Sequence, residues 1–399
     1  MKPSLRIALV SVAAAAALPA AAQTNPYSLA VSQKFSHSSN LFQTAGATVS
    51  DTQSVTSLIA GLDQPIGRQR LSASLSASLN RYQDNSQLNN EGYALRAGWD
   101  WSTINNISLS LKADASQSLG DFSPAGLPSI TTKNLVSSQG FGATVRQGVV
   151  TRLTTEASFS HRRTRNSNAL FGSRDLDTDE GSVGVKYRLG GATNVGAALR
   201  MTRGEYPDYL VFGGQTLSET FRRRNLDLNA DWQPSGVSRL NARVSLGKET
   251  YNRDTVRDIS GLTYSIGWSW KPSGKVSLNA ALTRDTGDEA TTLTLGDFAL
   301  TGNAVNRVRN GLSISANYAL TAKIGLSASA STSSGTVVTP NTGATGRERT
   351  QRIAFGAKWD PTRTVRVGCD FSRDSRDASA LATAYDADVF GCFAQLTLR

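Results

Sequence analysis

The sequence predicts an all-β chain folded as a transmembrane antiparallel up-and-down β-barrel of about 18 strands. Three observations predict it. Apolar residues alternate with polar ones along most of the chain, the connections alternate between short turns and long polar stretches, and aromatic residues gather where strands meet the short turns.

The 399 residues include 35 Gly, 11 Pro, 2 Cys and 2 His, and 18% are charged, which suits one large closed structure or two ordinary domains. Lys2 and Arg6, the apolar stretch from Ile7 to Pro19 and the small residues Ala20-Ala21-Ala22 predict a secretory signal peptide over 1–22, cleaved before Gln23 and followed by a barrel over 23–399. Beyond that segment no run reaches the ~18 apolar residues of a spanning helix, which excludes a helical membrane protein. Abundant Ser, Thr, Asn and Gly between single apolar residues, with few Glu and Met, disfavours long helices of any kind.

The alternation is clearest from Leu71, where Leu71, Ala73, Leu75, Ala77 and Leu79 interleave with Ser72, Ser74, Ser76 and Ser78. It recurs at Ile107, Leu109, Leu111 and Ala113, at Leu262, Tyr264, Ile266, Trp268 and Trp270, and at Leu312, Ile314, Ala316, Tyr318 and Leu320. Each is a strand with one apolar and one polar face. The template places strands near Tyr27, Val55, Leu71, Tyr93, Ile107, Leu135, Leu153, Val183, Val195, Leu226, Leu240, Leu262, Val276, Leu312, Ile324, Ile353, Val365 and Phe390. By parity Leu71, Leu75, Ile107, Leu111, Trp268 and Leu326 face lipid, and Ser74, Lys112 and Ser327 face the lumen.

Short connections such as Pro65-Ile66-Gly67, Gly190-Gly191-Ala192 and Pro234-Ser235-Gly236 alternate with polar stretches read as long loops at 117–133, 203–220, 284–308 and 332–349. Short turns at one end and long loops at the other characterise outer-membrane barrels. A soluble sandwich is the alternative, and aromatic placement separates the two. Trp99, Trp101, Tyr187, Trp232, Trp268, Trp270, Tyr318 and Trp359 all fall on the apolar parity beside short turns, as an interfacial girdle requires. Trp232-Gln233-Pro234-Ser235, Trp270-Lys271-Pro272-Ser273 and Trp359-Asp360-Pro361-Thr362 repeat one turn signature.

Ser38-Ser39-Asn40-Leu41-Phe42, Gly67-Arg68-Gln69-Arg70-Leu71, Ala97-Gly98-Trp99-Asp100-Trp101 and the C-terminal Gly391-Cys392-Phe393-Ala394-Gln395-Leu396-Thr397-Leu398 resemble the EpsL-like outer-membrane barrels linked to exosortase-type exopolysaccharide gene clusters. The resemblance spans the whole chain after the targeting segment. It implies a porin-like barrel associated with polysaccharide export machinery, and it carries over no catalytic residue.

The residues themselves offer little chemistry. There is no phosphate-binding loop, nucleophile elbow or His-Glu-x-x-His, and no cofactor is implied. His37 and His161 are isolated, and Asp177, Asp179 and Glu180 read as an outer loop that could attract a divalent cation, with a solvated acidic loop as the commoner explanation.

The polar parity is more informative. It places Arg96, Lys112, Arg146, Lys186, Arg188, Arg200, Arg223, Arg243, Arg352, Lys358 and Arg366 in the lumen, against Asp100, Asp114, Glu156, Asp227, Asp231 and Asp370. A cationic excess predicts passage of an anionic or saccharide solute. The alternative is a ladder of ion pairs that only packs the interior, leaving a scaffold whose loops bind polysaccharide or a partner. Basic residues spread over many strands disfavour nucleic acid as the partner of the +11 chain, and the partner the apolar face requires is outer-membrane lipid.

Cys369 and Cys392 share the apolar parity and are centred on the stretch 373–388. A hairpin there sets them opposite each other, with Cβ atoms within ~4.5–5.5 Å, close to disulfide reach. The alternative is two free thiols in lipid.

Overall fold

The computed structural model describes residues 25–398 except 105, 124–129, 191, 213–214, 254, 286–293, 296–297, 300–305, 339–344 and 380–382. The expected signal peptide lies outside the described residues, as does most of the stretch 284–308. Eighteen strands form the sheet: β1 Tyr27–Ser38, β2 Asp51–Ile66, β3 Gln69–Tyr82, β4 Asn90–Ser102, β5 Ile107–Leu119, β6 Leu135–Gln147, β7 Leu153–Asn166, β8 Leu176–Gly190 and β9 Thr193–Phe212. The second half comprises β10 Gln215–Ser235, β11 Ser238–Tyr251, β12 Ile259–Trp270, β13 Val276–Asp285, β14 Asn306–Ala319, β15 Ile324–Val338, β16 Thr345–Trp359, β17 Val365–Arg376 and β18 Tyr385–Leu398. Each strand pairs antiparallel with its neighbours in sequence, and β1 pairs with β18, from Leu29 opposite Leu398 to Ser38 opposite Val389. Closure leaves no unpaired edge, the condition for a sheet to span lipid.

Alternation in sequence becomes alternation in exposure. Along β10, Phe221, Arg223, Asn225 and Asp227 are buried while Arg222, Arg224, Leu226 and Leu228 are exposed. A soluble fold would bury the leucines, but here the large apolar residues point outward: Leu71, Leu75, Ile107, Trp268, Leu326 and Phe355 are exposed. The outer face is a hydrocarbon-facing band, and the opposite parity lines the lumen. This is the architecture of an outer-membrane barrel.

The girdle sits at the end with short turns. Trp268 stacks on Trp270 at 5.6 Å and donates from its indole N–H to Ser238 Oγ at 3.0 Å, and Trp99 donates to Gln69 Oε1 at 3.1 Å. Each ring lies in the band while its N–H finds a polar partner, the arrangement an interface favours. The Pro-Ser/Thr signature after the tryptophans has a hydrogen-bonding reason. Ser273 Oγ accepts from the backbone N–H of Lys275 and Val276, and Thr362 Oγ1 from those of Thr364 and Val365. These bonds satisfy turn donors and launch the next strand. Between β2 and β3 the turn needs a left-handed residue, and Gly67 takes it at φ 59°.

Two stretches expected as loops are strands. Residues 203–220 belong mostly to β9 and β10, and 332–349 mostly to β15 and β16. Their outward residues, among them Arg203, Arg222, Arg347 and Arg349, are polar because these hairpins rise past the apolar band. The pairing therefore continues where the apolar alternation stops. Asp177, Asp179 and Glu180 likewise lie on β8 and not in a loop.

Cys369 lies directly opposite Cys392 on the outward face of β17 and β18, and their sulfurs are joined in a disulfide. The bridge locks the register of the last hairpin, beside the β1–β18 pairing that closes the barrel.

Candidate functional site: the lumen wall and its mouth

All eleven cations expected in the lumen stand on inward positions, because each shares its row with inward residues of neighbouring strands. Arg96 faces Ser74 and Asp114, Arg146 faces Ser108 and Glu156, Arg223 faces Thr202 and Glu249, and Arg352 faces Ser331 and Asp374. Long side chains lie along the wall because glycines sit beside them. A Cβ on Gly325 would come within 2.7 Å of Lys358 Cε, and one on Gly196 within 2.9 Å of Lys186 Cγ.

The eleven divide into two groups. Arg146 and Lys186 share Glu156 at 2.6 and 3.0 Å. Arg200, itself buried, binds Asp227 at 2.8 Å and Glu180 at 3.1 Å. Arg223 is paired with Glu249, which also accepts from the Tyr251 hydroxyl. Arg352 reaches Asp374 at 3.0 Å and Arg366 reaches Asp360 at 2.7 Å. In the turn after β16, the Arg366 hydrogen bond holds the Asp360 carboxyl below the usual carboxylate range. Arg96, Lys112, Arg188, Arg243 and Lys358 form the second group and make no ion pair among the described residues. Buried charges need partners. A cation with no carboxylate at contact distance leaves its field in the water of the pore.

The inward set is larger than strand-by-strand parity indicated. Lys34 pairs with Asp370 at 2.8 Å, Arg162 with Asp114 at 2.9 Å and Arg70 with Asp63 at 2.6 Å, and Glu180, Glu249 and Asp374 also face inward. These additions largely neutralise one another. The functional excess therefore resides in the unpaired cations, these five together with Arg309, which faces inward and bonds only the Ser333 hydroxyl, rather than in a count of all inward charges.

Loops narrow the mouth. Arg376, on the inward face at the loop end of β17, is buried and donates to the Ser123 carbonyl, to Ser123 Oγ at 2.6 Å and to the Thr383 carbonyl at 2.9 Å. Ser123 belongs to the β5–β6 connection, and β4, β3, β2, β1 and β18 separate β5 from β17 in the sheet. Contact between them requires the connection to fold across the opening. Phe122 of the same connection packs edge-on against Phe42 of the β1–β2 loop at 5.1 Å, with Leu88 buried beside them. From the β7–β8 loop, Arg174 points into the same region. Burial lowers its pKa, against the opposing charges of Asp121 and Glu348 and the hydroxyl of Tyr206.

On the β9–β11 side, Tyr206, Tyr209, Phe221 and Tyr251 form a buried aromatic cluster. The Arg257 guanidinium lies over the rings of Tyr251, Tyr206 and Tyr209 at 4.2, 5.2 and 5.7 Å. Pairing shifts register between Leu217 and Glu219, which brings both tyrosines to one side. The sequence signals neither this cluster nor the Arg376 anchor, because both depend on contacts between distant segments.

His37 bonds Thr52 at 3.1 Å, and His161 bonds Asp179 at 2.8 Å on the outer face, well apart from each other. Among the described residues no three His, Cys, Asp or Glu side chains converge on a metal position.

No family model matches the sequence, and no curated protein matches it. Solved structures similar to this chain include OpdK of Pseudomonas aeruginosa with vanillate, at 13% identity over 93% of this chain and 99% of that one, with a TM-score of 0.48. OccAB4 of Acinetobacter baumannii is similar at 10% identity over 94% and 99%, TM-score 0.48, and OccK9 (OpdG) of Pseudomonas aeruginosa at 15% over 93% and 98%, TM-score 0.48.

Proposed function

We propose that the protein is a porin-like channel of the outer membrane that passes hydrophilic anionic or saccharide solutes, and that it serves exopolysaccharide export. The observation that carries the channel reading is the set of unpaired lumen cations, Arg96, Lys112, Arg188, Arg243 and Lys358, on a wall whose other described inward cations are mostly matched by carboxylates. Such residual charge raises the local concentration of anions and sets selectivity. The polysaccharide association rests on the resemblance of the turn and terminal segments to EpsL-like barrels.

A second reading has its own observation. The β5–β6 connection, held across the opening by Arg376, suits a scaffold barrel with a shut lumen whose outer surface docks polysaccharide. Reversal potentials of the purified protein in planar bilayers under a salt gradient separate the two. The channel reading predicts discrete conductance with anion preference, partly blocked by an anionic oligosaccharide. Absence of conductance from folded protein would favour the scaffold.

A further inference from the structure

At the upper edge of the apolar band, the outward face of β9, β10 and β11 carries Arg203, Arg222, Arg224 and Lys248, all exposed. Arg203 stands directly opposite Arg222, and Arg224 directly opposite Lys248. Two like-charge cross-strand pairs on one surface are destabilising by themselves. The neighbouring acids do not relieve them. Asp177 is taken by Arg163 at 3.2 Å and Arg165 at 2.6 Å, and Asp179 by His161 at 2.8 Å. None of the four cations forms an ion pair or side-chain hydrogen bond among the described residues, with Glu205, opposite Thr220, or with any other acid.

Height fixes what meets this surface. Trp232 marks the girdle at the turn end of β10, and Arg224 and Arg222 lie eight and ten residues further along the strand. At a rise of ~3.3 Å per residue and a tilt of ~40°, they sit roughly 20 and 25 Å above the girdle. The apolar band of such barrels is ~25 Å tall, so Arg222 and Arg203 lie at the headgroup level of the outer leaflet, and Arg224 and Lys248, one row lower, reach it by extending their long side chains upward. Immediately below them the exposed Leu199, Met201, Leu226 and Leu246 offer an acyl-facing surface.

We propose that this patch is a binding site for the phosphorylated saccharide headgroup of an outer-leaflet glycolipid, with Arg203, Arg222, Arg224 and Lys248 holding its phosphates and the leucines beneath contacting its acyl chains. The lipid phosphates occupy the space between the like charges and convert their repulsion into charge-assisted hydrogen bonds. The site is independent of whether the lumen conducts.

The test uses purified full-length barrel in nanodiscs with bisphosphorylated lipid A as the probe, its affinity read by native mass spectrometry. R222Q/R224Q weakens binding about thirty-fold, taking ~1 kcal/mol per basic residue at the membrane surface. R203Q/K248Q behaves alike and serves if the first variant folds poorly, as judged by electrophoretic mobility before heating. The charge-matched R347Q/R349Q, on the outward face of β16, changes binding less than threefold. Lipid A stripped of phosphate binds the wild type as weakly as lipid A binds R222Q/R224Q, and neither phosphatidylglycerol nor inorganic pyrophosphate at equal concentration displaces the probe. Equal losses in both charge-matched pairs would overturn the site. Displacement by phosphatidylglycerol would overturn the glycolipid, and displacement by pyrophosphate would reduce it to a free-anion patch.

Discussion

At the scale of single residues, side-chain space on the lumen wall is decided by hydrogen atoms. A Cβ on Gly140 would stand 2.7 Å from Asp114 Oδ1 and 2.9 Å from Arg162 Nη2, inside the Arg162–Asp114 pair, whereas one on Gly142 meets nothing closer than 3.8 Å. Gly140→Ala should therefore loosen the pair and cost about 0.2–1 kcal/mol, the range for an exposed ion pair. Gly142→Ala should be neutral or slightly stabilising, because alanine suits a strand better than glycine. Urea unfolding from lipid vesicles reads both. The disulfide makes a separate prediction: a thiol reagent should leave Cys369 and Cys392 unmodified in denatured, unreduced protein and label both after reduction.

At the scale of strands and loops, the two faces predict opposite responses to one change. Leu75→Arg puts a cation into hydrocarbon near mid-strand and should cost ~2–4 kcal/mol, while Ser74→Arg, one position away and inward, should cost much less. Equal costs would reject the register. Strands were legible in the sequence wherever lipid imposed an apolar residue at every second position. That signal ends at the membrane surface, so the upper parts of β9, β10, β15 and β16 read as loops although their pairing continues. The β5–β6 connection was illegible for a different reason, since its course depends on Arg376, which is more than two hundred residues away in sequence. Arg376→Ala removes the side chain that holds Ser123 and Thr383. Single-channel recording should then show larger conductance or more frequent opening, and conductance equal to wild type would mean that the connection does not narrow the path.

At the scale of the whole molecule, a closed barrel whose apolar band faces lipid places the charges of its spanning segments inside, and those left without a counter-ion set the field of the lumen. Parity alone located every one of the eleven cations on the lumen wall, because facing requires only a period of two. It could not tell which were neutralised. Arg146 and Lys186 meet on Glu156, and Arg200 meets Asp227 from the next strand, only through a register fixed by eighteen pairings. The account assigns selectivity to the cations left over, and it predicts that the anion-to-cation permeability ratio exceeds one. The most direct test measures that ratio from reversal potentials in a salt gradient for the wild type and for R96Q/K112Q/K358Q, with folding confirmed by electrophoretic mobility before heating. The ratio should fall towards or below one in the variant while conductance persists. A wild type that prefers cations, or an unchanged ratio after the three charges are removed, would contradict the account.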